Sequence, residues 1–95
     1  MTTMLLSNEE LLNKATGRLL KLVTTTPDNY WRAMFATNLD FIKVYMQKGS
    51  EHEQILARTA CYFIIDHADR LVSTLDKQRF AIVVKNIILG IGIEV

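Results

Sequence analysis

Two sequences of the form Ser-x-x-Glu, Ser7-Asn8-Glu9-Glu10 and Ser50-Glu51-His52-Glu53, each stand directly before apolar residues spaced three and four apart. Together these signals mark a helix start. The serine hydroxyl accepts from the amide three residues on, and the glutamate reaches back to the serine amide, so two otherwise open first-turn donors are paired. The spacing commits one side of each segment to a core and leaves the other to water, so helices must pack against helices.

The first segment carries Leu11, Leu12, Ala15, Leu19, Leu22 and Val23 on one stripe. Gly17 interrupts it at a cost of about 1 kcal/mol relative to Ala. The β-branched run Thr24-Thr25-Thr26 ends it. Thr26-Pro27-Asp28 reads as a restart, with Thr26 at the N-cap, Pro27 first in the helix and Asp28 complementing the helix dipole. The second helix is expected to run to about Lys48, with Trp31, Phe35, Leu39, Ile42 and Met46 in line and Tyr30, Met34, Phe41 and Tyr45 beside them. Gly49 is expected to end it in a left-handed turn.

The third helix opens at Ser50 and is expected to reach about Thr74, through Leu56, Ala60, Phe63, Ile64, His67, Ala68, Leu71 and, just beyond, Leu75. Cys61 to Ile65 is apolar all round, which predicts a central helix. Asp76 is read as the next N-cap, with Leu75 and Phe80 as a hydrophobic staple. Phe80, Val83, Val84, Ile87, Ile88 and Ile91 then share a face. This segment is rich in β-branched residues but shows no period-two alternation, so helix is favoured over strand. Gly90 is expected to end it, leaving Ile91-Gly92-Ile93-Glu94-Val95 as an apolar tail. Glu10 with Lys14, Asp28 with Arg32 and Asp66 with Arg70 are acid-then-base pairs four apart, in keeping with helical period. The expectation is an all-α chain: one domain over residues 1–95, a compact four-helix bundle with short loops and a short C-terminal tail.

Charge narrows the function classes. Eleven basic against ten acidic residues give a net charge of +1, which is not the balance of a protein that coats nucleic acid or an anionic membrane. A single cysteine, Cys61, cannot form an intrachain disulfide and fits a reducing compartment. The N-terminal residues show neither a basic region nor a long apolar stretch, and no uncharged run is long enough to span a bilayer. A cytoplasmic location is the expectation.

Few residues suggest chemistry. His52, Cys61, Asp66, His67 and Asp69 lie on or near the third helix, but Cys61 and His67 are six apart and diverge, and no pair has metal-ligand spacing. His67 is expected to pack on the apolar face and Cys61 to be a core thiol. Gly90 and Gly92 make no phosphate loop, since neither a third glycine nor a helix follows. No cofactor, metal site or catalytic residue is assigned, and no enzymatic activity is expected. Lys14, Arg18 and Lys21 form a basic stripe on the first helix, opposite its leucines; they are the candidate nucleic-acid contacts, with a solvated face as the favoured reading. Lys77, Arg79 and Lys85 lie near the fourth helix.

Partner binding has the most support. The second helix holds five of the eight aromatic residues and two of the four methionines, and its apolar residues cover more than one stripe. Residues of these types are enriched in interface cores. The expected interface is Tyr30, Trp31, Met34, Phe41 and Tyr45, with Trp31 as an anchor. The expected function is a small protein–protein interaction module: a homodimeric regulator, adaptor or inhibitor of another protein, with no membrane role. The alternative is a DNA-binding transcriptional regulator using the third and fourth helices.

Overall fold

The computed structural model describes residues 6–91. Among them are four α-helices, α1 (Asn8–Thr25), α2 (Asn29–Lys48), α3 (Glu51–His67) and α4 (Thr74–Ile88), with a 3₁₀ turn, Ala68–Arg70, between α3 and α4. No strand occurs among the described residues. The tail expected after Gly90 falls, from Gly92 on, outside them.

The apolar stripes meet in one core, where Leu11, Leu19, Phe35, Ile42, Ile64 and Ile88 are all closed to solvent. Both α2 and α3 touch each of the other three helices, so they form the middle pair of an all-α four-helix bundle. Between them and α4, the rings of Phe63 and Phe80 stack at 5.5 Å, and Phe35 lies 6.4 Å from Phe80. The Cα radius of gyration of 12.9 Å is close to the ~13 Å of a folded chain of about 100 residues.

Both Ser-x-x-Glu boxes form as the sequence predicts. Ser7 and Ser50 accept from Glu10 and Glu53, and each glutamate accepts from the serine amide, at 3.0 Å and 2.9 Å. The hydrogen bond from the Ser7 amide holds the Glu10 carboxyl below its ordinary value, aided by the Ser7 hydroxyl and more weakly by Lys14.

Four local expectations are corrected. The N-cap of α2 is Asp28, not Thr26. Asp28 Oδ1 accepts from the amides of Tyr30 and Trp31, and Pro27 lies outside the helix. A carboxylate satisfies two first-turn amides at once, and Thr26, at the C-cap of α1, is buried with its hydroxyl unpartnered. Gly49 is extended rather than left-handed, with φ −76°. Its need for glycine is steric: a Cβ there would come within 2.5 Å of the Tyr45 carbonyl oxygen. The helix α3 stops at His67 rather than Thr74, and α4 is capped by Ser73 rather than Asp76. Ser73 and Asp76 form a third reciprocal box, which competes with continued helix and places Leu75 inside the first turn, so the expected staple does not form. Gly90 does adopt a left-handed conformation, φ +71°. Its amide donates to the Ile87 carbonyl and that of Ile91 donates to the Asn86 carbonyl, a complete Schellman closure.

The paired charges four apart follow the helical period but do not form ion pairs. Asp28 and Glu10 are occupied by caps, and Arg32 donates instead to the carbonyls of Thr26 and Pro27. Among the described residues one ion pair forms, Arg18 Nε to Asp69 Oδ2 at 3.4 Å. No helix is long and apolar enough to cross a membrane among the described residues.

Candidate functional site: the outer face of α2 and α4

On α2, Tyr30, Ala33, Met34, Thr37, Asn38 and Phe41 recur every three or four residues and so lie along one side of the helix. This is the second stripe, turned away from Phe35 and Ile42. With Lys85 and Ile88 of α4 and Leu89 just after it, this side lines an open groove of about 290 Å³. A second hollow of about 210 Å³ continues along α2 through Thr37, Asp40, Phe41, Val44 and Tyr45.

Asn38, 3% exposed, donates from Nδ2 to the Ala81 carbonyl oxygen at 3.2 Å and ties α2 to α4 at the groove floor. Above it the walls are apolar and open. Tyr30 is 64% exposed, Val44 53%, Leu89 46% and Phe41 43%. Ile82 stands beside Lys85 and Leu89 by helical spacing and is also exposed, which extends the apolar surface across α4. Phe41 and Tyr45 meet edge to face at 6.1 Å, which gives this side a fixed shape.

The structure divides the five residues expected at the interface. Tyr30, Met34, Phe41 and Tyr45 line the two hollows. Trp31 does not. It is half-buried against the core, in a small hollow with Thr26, Asp28, Phe35 and Thr74 on another side of α2. Ten residues apart on a helix, Trp31 and Phe41 fall on different sides of α2, and it is side-chain type that suggests Trp31 as an anchor. Sequence reasoning missed Asn38, Val44, Ile82 and Leu89. Asn38 stands among Phe35, Leu39 and Ile42 in the apolar pattern, so a polar residue at a core position was the available signal.

The other candidates lie apart from this face. Cys61 is fully buried, and burial pushes its thiol up to about 12, with nearby Arg58 opposing. A thiol so protonated is a poor nucleophile. His67 is exposed rather than packed in the core, because α3 ends at that residue; its ring lies over Phe63 at 4.4 Å. Among the described residues, no three His, Cys, Asp or Glu side chains group so as to hold a metal ion. Lys14 and Lys21 are exposed on α1, whereas Arg18 is half-buried and directed toward Asp69. No family model matches the chain, and neither a curated protein nor a solved structure does so.

Proposed function

We propose that the chain is a protein–protein interaction module that works as a homodimer, a regulator, adaptor or inhibitor of another protein with no reaction of its own. One observation carries this reading: the continuous apolar face of α2 and α4. Tyr30, Phe41, Val44, Ile82 and Leu89 are each at least 43% exposed, and neighbouring exposed apolar side chains mark an interaction surface.

A second copy is the occupant that the charges favour. The face carries one cation, Lys85, by the larger hollow and one anion, Asp40, by the smaller. A twofold pairing presents the same patch from both sides and allows Lys85 of one copy to meet Asp40 of the other.

Light scattering and sedimentation at micromolar concentration test this. The wild type is expected to be a dimer, and Phe41→Glu to weaken association by about tenfold or more. Lys85→Glu should also weaken it, and Lys85→Glu with Asp40→Lys should restore it. Trp31→Ala should leave association unchanged. A monomeric wild type up to high micromolar concentration overturns the proposal. The DNA-binding alternative, on the third and fourth helices, has less support: α4 presents exposed Ile82, with Leu89 just after it, beside Lys85, an apolar rather than a basic face.

A further inference from the structure

At the edge of the leucine stripe of α1, beside buried Leu22, the fold gathers charges that are remote in sequence. Arg18, Lys21, Leu22 and Thr25 lie on one side of α1. Ala68 and Asp69 of the 3₁₀ turn, Leu71 and Lys77 of α4 complete a hollow of about 140 Å³ around them. Its base is apolar, with Leu22 and Ala68 buried and Leu71 half-buried. Three cations and one carboxylate surround it.

Two features distinguish this arrangement from a solvated basic face. Lys77 arrives from the first turn of α4, so the cations approach from two elements rather than along one helix. Arg18 Nε is closed to solvent and makes no hydrogen bond, because Asp69 Oδ2 lies 3.4 Å away without the geometry of a bond. With Nε turned to Asp69, the part of the guanidinium that stays open can present its planar N–H groups to an oxyanion with several acceptors. At ~30 Å³ for each water-sized atom, the hollow has room for about five such atoms, the size of a phosphate group.

We propose that this hollow binds the phosphate group of a small phosphorylated ligand, held by Arg18, Lys21 and Lys77. Asp69 competes for Arg18 and weakens the site. The inference is independent of the dimer, whose face lies on α2 and α4.

Amide chemical shifts of the labelled full chain, titrated with sodium pyrophosphate against sodium chloride at matched ionic strength, test it. The expected result is saturable shifts confined to residues 18–25, 68–71 and 74–77. The exposed position Lys21 and the half-buried Lys77 tolerate glutamine, and Lys21→Gln with Lys77→Gln should weaken binding about tenfold. Asp69→Asn should tighten it severalfold by freeing Arg18. Shifts no larger than those in chloride, or binding unaffected by the double glutamine variant, overturn the site. Binding no tighter in Asp69→Asn overturns the part assigned to Arg18. A duplex oligonucleotide arm separates the macromolecular source: oligonucleotide binding that needs Lys21 and Lys77, with pyrophosphate silent, overturns the small-ligand proposal in favour of nucleic acid.

Discussion

Asn38 places an amide in the seam between α2 and α4, where its Nδ2 donates to the Ala81 carbonyl. That oxygen also lies in α4, so the side chain adds a bond to a group already paired within its helix. The bond acts as a clasp rather than as rescue of an orphaned carbonyl. Asn38→Ala is expected to lower stability by about 1–2 kcal/mol in urea denaturation, the range for a lost buried hydrogen bond. No change would mean the amide is dispensable to the seam. At this scale the sequence is legible where the partner is local. Ser7 with Glu10 and Ser50 with Glu53 are three apart, and their bonds follow from spacing. Asn38 and Ala81 are 43 apart, and no local pattern pairs them. The same limit applies to Arg18 and Asp69, and to the split between Trp31 and the groove.

At the scale of elements, Gly17 and Gly49 behave oppositely. Gly49 follows the end of α2 in a backbone conformation open to any residue, yet a methyl there would strike the Tyr45 carbonyl and the Glu53 Cβ. Gly49→Ala is therefore expected to destabilise by about 1–3 kcal/mol, as overpacking does. Gly17, in the middle of α1, has open space where its Cβ would go. Gly17→Ala is expected to stabilise by about 0.5–1 kcal/mol. Thermal and urea unfolding of both variants check the pair; equal effects of one sign would refute the steric account. The boundary between α3 and α4 shows why element ends are harder to read than element interiors. Leu71 and Leu75 continue the apolar period past His67, so periodicity alone predicts about two more turns of helix. Ser73 and Asp76 win because their reciprocal bonds restart a helix in a new direction, and the reversal lets α4 pack on both α2 and α3.

At the scale of the molecule, Cys61 reports on opening of the whole core. Its side chain is fully buried on α3. The thiol, pushed up to about 12 by burial, is unreactive until the bundle opens. Modification by a maleimide at neutral pH is expected to be slower than in urea-unfolded chain by about a thousandfold or more, in keeping with ordinary folding equilibria. If the dimer is the working form, the rate should fall further as protein concentration rises, because association stabilises only the folded state. Fast labelling of native protein would mean that the core opens locally around α3. The sequence by itself determined the number of helices, their core-facing stripes and the Ser7 and Ser50 caps, because each depends on contacts within a few turns of one helix. Tertiary structure alone decided where α3 gives way to α4, which aromatic rings of α2 remain open, and which charges become neighbours. Those outcomes depend on how one helix face shadows another, and packing between distant segments has no counterpart in local spacing.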